Sequence, residues 1–543
     1  MSSSFPVPAT AIAPGAAVID RSNAPARLVV DGVPYQVRGV ELHNSTSSSP
    51  TAYADGLATT VQVGANTVLA AVTWEMIQPA EDTFDLSSVQ TLIDGAREAG
   101  VKLVILWFGA WKNGASSYPP LWVQTDWERF PRCVHEDGTL SDTLTPFGGT
   151  DLDLDAFLAV VRFVEEYDAT DRTVLMIQIE NEIGLLGSSR DHSTSADTVF
   201  TSAIPDPLRA ALAHRPGFDT DTTDLAWGDV TDEPLGRDEA FMASGYATHV
   251  QRLACAAREI TDIPFFVNAW LDSDLDLDIP GFTVAGGQTP GMYPSGGPLP
   301  RVADVWRTLA PSIDIFAPDV YHGVLDDIYR RFSDMSGALF IPEQRVGEDG
   351  VAAAFLAYGR YGAIGVSPFG VDSRTDEELA ALTDGYRILA TIAEAFTTPD
   401  GTRTPSHGFS LTDDTPTTTW THGDTNITVQ RSAGLGVDLV GSRGYGIILA
   451  TEEDTYVFAG RGFTATFTST DPAIQVRVGS VQELADRDTA LVGRRLNGDE
   501  TASGSWILHP PRERPLSNFP IASGHAHTGV SSVRIYRLPV VGR

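Results

Sequence analysis

Two stretches of this chain end apolar runs in carboxylates. Thr173 to Gly184 reads TVLMIQIENEIG, in which Val174, Leu175, Met176, Ile177 and Ile179 suit a strand buried on both faces of a parallel sheet. Glu180, Asn181 and Glu182 follow at its C-terminal end. Ala338 to Arg345 reads ALFIPEQR, so Glu343 follows a second apolar run, Ala338 to Ile341. A carboxyl group at a strand end can move a proton or attack an electrophilic carbon, and strand ends are where barrel loops converge on one substrate. Each group also has an ordinary alternative. Glu-Asn-Glu can be a solvated strand end before a turn, and Glu343 a helix N-terminal carboxylate stabilised by the dipole.

The elements that must position them alternate regularly. Ala26 to Asn44 carries a hairpin signal, Asp31-Gly32 between two alternating runs, and leads into a strand ending at Glu41. Further strands are expected at 66–74, 101–110, within the stretch 173–184, and at 264–270, 314–321, 338–345 and 362–370. Helical patterns are expected at about 52–63, 86–99, 155–167, 239–260, 302–309, 325–332, 351–358 and 376–395. Eight strands alternating with helices predict an α/β fold, a (β/α)8 TIM barrel over residues 1–397. A long polar excursion, Leu185 to Gly236, follows the fourth strand and is expected to wall the site. After Thr397 to Ser406 the texture changes to short Thr-, Val- and Ile-rich runs between turns, which predicts a β-sandwich-like domain over 398–543.

Composition excludes several classes. The chain has 543 residues, 42% hydrophobic and 20% charged, enough for a large barrel and a smaller domain. A net charge of -34 argues against nucleic acid, whose phosphates need clustered cations. No run is long enough to span a bilayer, and the first residues lack a secretory pattern, so a cytoplasmic location without membrane contact is expected. Cys133 and Cys255 belong to no ligand cluster, and neither a metal nor a cofactor is expected. Homo-oligomerisation stays open. Lysine occurs only at Lys102 and Lys112.

Three segments carry a family resemblance. WEMIQPAEDTFD, Trp74 to Asp85, resembles the pattern after the second strand in the retaining β-galactosidases of glycoside hydrolase families 35 and 42. QIENEIG, Gln178 to Gly184, resembles a family 35 pattern in which Ile183 replaces an aromatic. ALFIPEQR is similar to the seventh-strand end that carries the nucleophile in this clan. LWFGAWKNGASSYPPLWV, Leu106 to Val123, and RRLNGDE, Arg494 to Glu500, look like one bacterial branch with its own β-rich C-terminal domain.

The resemblance implies exo-acting cleavage of a terminal β-linked galactose or related sugar, with Glu182 as acid/base and Glu343 as nucleophile. Retention needs such a pair, about 5–5.5 Å apart. Asn181 is then expected on the sugar 2-hydroxyl, and Tyr321 to orient Glu343. Trp107, Trp111, Trp270 and Phe369 are candidates for stacking on sugar faces, with core packing as the alternative for each. His43, Glu75, Lys112 and Asn268 are candidate hydroxyl binders. One departure bears on substrate: Ala-Glu-Trp at the third strand end of better-known family 35 enzymes is replaced here by Gly109, Ala110, Trp111, Lys112 and Asn113. Two other readings remain: a retaining exo-glycosidase acting on arabinose, fucose, xylose or an unusual hexose, and a non-catalytic carbohydrate-binding barrel.

Overall fold

The computed structural model describes residues 17–22, 24–149, 151–218, 224–273, 287–432, 443–484, 493–513 and 527–540, together with the short strands Asp278–Ile279 and Phe282–Thr283. Eight parallel strands close into a barrel. They are β1 (Val37–Glu41), β2 (Thr67–Thr73), β3 (Lys102–Lys112), β4 (Val174–Asn181), β5 (Phe265–Trp270), β6 (Ile315–Val320), β7 (Phe340–Gln344) and β8 (Gly365–Pro368). The crossovers carry α1 (Pro50–Gln62), α2 (Ser87–Ala99), α3 (Leu154–Tyr167), α4 (Pro234–Arg258), α5 (Ala303–Leu309), α6 (Leu325–Ser336) and α7 (Glu348–Leu356), and α8 (Asp376–Ile392) follows β8.

Local chemistry sets these boundaries. α1 starts at Pro50 after Ser49, whose hydroxyl accepts from the Ala52 amide. α2 stops where Gly100 takes a left-handed conformation. In α8, Thr375 and Glu378 cap each other reciprocally. Asp31 and Gly32 both have positive φ, as the tight hairpin between Arg27–Val30 and Val33–Pro34 requires.

The barrel interior is a packed core. Leu69, Ala71, Val104, Leu106, Phe108, Met176, Phe266, Ile315, Ala317 and Phe340 form one buried cluster, which apolar residues of the N-terminal strands join. The other face of each strand packs on the helices. The loops that could form a site converge at the C-terminal mouth.

Beyond α8 come two antiparallel sheets, one of five strands and one of four, enclosing a core that includes Phe409, Ile427, Phe458, Phe463, Ile507 and Ile535. The five-stranded sheet also rests on α7 and α8. Phe355 meets Tyr445 with ring centroids 5.1 Å apart, and buried Arg461 makes two 2.9 Å bonds to the Asp384 carboxylate. The excursion after β4 contains structure that its polarity conceals. Thr194–Phe200 and Asp206–Leu212 are helical, and Phe200 and Trp227 pack against Phe241 of α4 on the outside of the barrel. A short hairpin, Arg132–Val134 with Leu140–Leu144, is a further element that polarity hid.

Candidate active site

Simple alternation would send Met176, Gln178 and Glu180 of β4, and Glu182 just beyond it, to the same face. Two left-handed residues break that pattern: Glu180 at φ 60 and Glu182 at φ 45. Neither is glycine, so each conformation costs on the order of 1–3 kcal/mol and persists only where its surroundings over-determine it. The β3–β4 ladder is interrupted here. Trp107 pairs with Ile179, and pairing resumes only at Lys112 with Asn181. Glu180 turns outward into this gap, where its carboxylate accepts from the Ala110 amide at 3.1 Å and the Trp111 amide at 2.8 Å. Beyond it, the amides of Asn113 and Gly114 bond the carbonyls of Asn181 and Glu182.

β7 reaches the mouth by a different irregularity. Its register against β8 slips between Ile341 and Gln344, one extra residue on β7. Ile341 faces the helices, while Glu343 lies level with Asp319 on β6. The Tyr321 hydroxyl donates to Glu343 Oε1. Arg345 in turn holds the Tyr321 carbonyl.

Asn268, from β5, ties the mouth together. Its Oδ1 accepts from the Glu182 amide at 2.9 Å, and its Nδ2 donates to Asp319 at 2.7 Å and to Asn181 Oδ1 at 3.3 Å. Gln178 donates to Asn181 Oδ1 at 3.1 Å. The Lys112 ammonium lies 4.6 Å from the Phe108 ring centroid and makes no hydrogen bond or ion pair with a described residue. Trp270, level with Asp319, is buried with its indole N–H unpartnered.

Four carboxyl groups are buried here: Glu41 is 1% exposed, Asp319 3%, Glu182 7% and Glu343 9%. So much buried acid cannot all be ionised. Burial, then the Glu343 charge, pushes Glu182 up to about 8, against a pull from Lys112. The same two causes raise Glu41 and Asp319 well above the carboxylate range. Burial and the Glu343 charge also raise the Tyr321 phenol, so it stays a donor.

Other expected residues have different places. His43 lies at the rim, its ring edge-on to Phe369 at 5.0 Å and its Nε2 2.9 Å from Ser373 Oγ. Glu75 is exposed beside Tyr118, and partial burial raises its carboxyl. Trp107 and Trp111 are corrected: both are fully buried on the helix side of the wall. The Trp107 indole donates to Asp153 at 2.6 Å, and the Trp111 indole to the Leu144 carbonyl at 2.9 Å, with its ring against Tyr246 and His249. Neither presents a face to the mouth.

Sequence reasoning missed Glu41 and Asp319 as site residues. Both end apolar strands, the signal that singled out Glu182 and Glu343. Glu41 Oε1 and, two residues beyond inward-facing Ala71, Thr73 Oγ1 are buried without a hydrogen-bond partner.

Among the described residues, one group of buried His and acidic side chains could hold a metal: Asp153, Glu180 and His249, with ligand atoms within 4.8 Å of one another. It lies on the helix side. His249 Nε2 is 3.2 Å from Asp153 and 3.3 Å from Glu180. Burial and the Asp153 charge raise Glu180 to about 8. Against burial, Asp153 raises His249 to about 9, and His249 holds Asp153 low.

A family model described as a domain of unknown function, DUF5597, matches residues 382–508, from within α8 to the last strand of the four-stranded sheet. No curated protein matches. Similar solved structures include a β-galactosidase from the psychrophilic Marinomonas ef1, at 14% identity and TM-score 0.45, covering 66% of this chain and 60% of that one. A β-galactosidase from the haloarchaeon Halorubrum lacusprofundi is 15% identical at TM-score 0.45, covering 68% and 60%. The catalytic domain of a Paenibacillus polymyxa β-amylase is 15% identical at TM-score 0.44, covering 64% and 96%. This chain spans about 60% of the length of the two β-galactosidases. Likeness at this level carries no activity across, and the side chains must.

Proposed function

We propose that this chain is a retaining glycoside hydrolase that removes a terminal β-linked galactose or close relative by double displacement. One observation carries the reading: Glu182 and Glu343 are both buried at the strand-end mouth, Glu343 accepts from the Tyr321 hydroxyl, and burial with the Glu343 charge pushes Glu182 up to about 8. A bound proton donor beside a fixed nucleophile is what glycosidic cleavage with retention needs.

In the first step Glu343 attacks the anomeric carbon as the glycosidic C–O bond breaks, and the Glu182 proton passes to the departing oxygen. Esterification removes the Glu343 charge, which lets Glu182 ionise. In the second step Glu182 takes a proton from water, the water oxygen attacks the anomeric carbon, and the bond to Glu343 breaks. Asn181, fixed by Gln178 and Asn268, offers its amide to the sugar 2-hydroxyl. Glu41, Thr73, Lys112 and Trp270 supply acceptors and donors for the other hydroxyls. Residues 398–543 serve as a support seated on α7 and α8 and add nothing to the chemistry.

Lys112 favours keeping a second reading, another terminal sugar, because it occupies the strand end where the resembled enzymes hold galactose with a glutamate. The test is incubation with lactose, 4-nitrophenyl β-galactoside and a galactan oligosaccharide, followed by aryl arabinosides, fucosides and xylosides. Monosaccharide release from the chain end is expected. Internal fragments would sink exo-action, and no hydrolysis of any member by the folded protein would favour a binding barrel.

A further inference from the structure

We infer that Glu180, His249 and Asp153 form a positioning unit behind the barrel wall that sets where Lys112 and Glu182 stand in the mouth. The inference rests on the glycosidase reading for its consequence and on geometry alone for its premise. Where β3 and β4 stop pairing, residues 108–111 face only Glu180. Two amides in that gap, Ala110 and Trp111, take the Glu180 carboxylate as acceptor. The ladder's missing bonds are thus replaced by one side chain.

That side chain can reach the gap only because Glu180 is left-handed, and the same irregularity turns Asn181 and then Glu182 into the mouth. On the other strand, the residue after the two held amides is Lys112. One carboxylate therefore couples the placement of both.

What holds the carboxylate is on the helix side. His249 comes from the middle of the long helix α4, and its Nε2 faces Glu180 Oε1 at 3.3 Å and Asp153 Oδ1 at 3.2 Å. Asp153, at the N-terminus of α3, is fixed through its other oxygen by the Trp107 indole at 2.6 Å. Trp107 is the last β3 residue paired before the gap, so the unit closes back on the strand it supports. Space behind Glu180 is limited as well: a Cβ on Gly109 would meet Asp153 Oδ2 at 2.1 Å and Glu180 Oε1 at 2.8 Å.

Glu180→Gln keeps the volume but turns an NH2 toward one of the two amides, donor against donor. Hydrogen exchange at Ala110 and Trp111 should accelerate at least tenfold, with the melting temperature within a few degrees of wild type. On 4-nitrophenyl β-galactoside, kcat should fall about 10²-fold with KM within a few-fold, the scale on which a small misplacement of a reacting group acts. Sodium azide, which needs no base, should recover part of the loss by intercepting the glycosyl-enzyme. A second pair of variants separates hydrogen bonding from filling. His249→Gln offers an N–H to each carboxylate and should restore protection and kcat relative to His249→Leu.

Unchanged exchange at 110–111 in Glu180→Gln would overturn the proposal, as would equal behaviour of the two His249 variants. Stoichiometric zinc or manganese in the purified protein, lost in His249→Leu, would recast the three residues as metal ligands and also overturn it. Faster exchange in a protein whose wild type cleaves no glycoside would leave the unit standing and remove the glycosidase reading instead.

Discussion

Glu343→Gly is expected to lower turnover by roughly 10⁵-fold, the scale on which removal of a covalent nucleophile collapses catalysis. With sodium azide and an activated aryl glycoside, the cavity left by the side chain admits the anion, and a glycosyl azide of inverted configuration should accumulate. The stereochemistry follows from counting displacements. Azide in the nucleophile's place reacts once, on the face opposite the leaving group, and no second inversion follows. Glu343 is well suited to the role because its position is doubly determined, by the extra residue in β7 and by the Tyr321 hydroxyl. A retained azide product, or activity near wild type, would show that Glu343 is not the nucleophile.

Glu182→Ala should lower kcat/KM by about 10²- to 10⁴-fold on substrates with poor leaving groups and much less on dinitrophenyl glycosides, whose leaving group needs no proton. Azide then yields a product of retained configuration, because Glu343 has already inverted the centre once. The intact enzyme should show the same group in its pH profile. Glu182 must carry its proton in the first step, so kcat/KM should hold below a pH of about 8 and fall tenfold per unit above it. The Glu343 charge contributes to that elevation, so Glu343→Gln should move the Glu182 titration downward, as read by carbon NMR of labelled glutamate. A profile flat to pH 10, or a Glu182 titration indifferent to Glu343, would rule out this pair.

The eight strands and eight helices were legible because both periods are written in apolar residues, and a strand covered on both faces has nothing else to be made of. Glu182 and Glu343 stood out for the same reason, as acids ending such strands. That uniformity also hid what came next. In an all-apolar strand the two faces look alike, so nothing in LWFGAW tells which tryptophan points inward. The gap opposite Glu180 removed even the expectation of alternation there, and Trp107 and Trp111 proved to face the helices. Glu41 and Asp319 carried the right signal without a motif to draw attention to them. The helices at 194–200 and 206–212 were too short and polar for a period, and they form because Phe200 and Leu208 find apolar cover on the outside of the barrel.

The crowd of acids in the mouth also bears on how the protein tolerates alkali. Folded, Glu180 and Glu182 hold protons up to about pH 8, and Glu41 and Asp319 are raised well above their ordinary values of 4.5 and 3.8. Unfolded, all four would let go near those ordinary values. Each proton kept by the native chain and released by the denatured one makes unfolding more favourable as pH rises, so these groups favour the fold fully below about pH 4 and progressively less through 8. Asp153, held low, works in the opposite sense at the acid end. Resistance to heat should accordingly be greatest on the mildly acidic side and decline toward pH 8, as calorimetry across that range would register. Glu41→Gln and Asp319→Asn should flatten the decline while weakening sugar binding, since the crowding of acids that costs stability as pH rises is the same chemistry that would meet sugar hydroxyls.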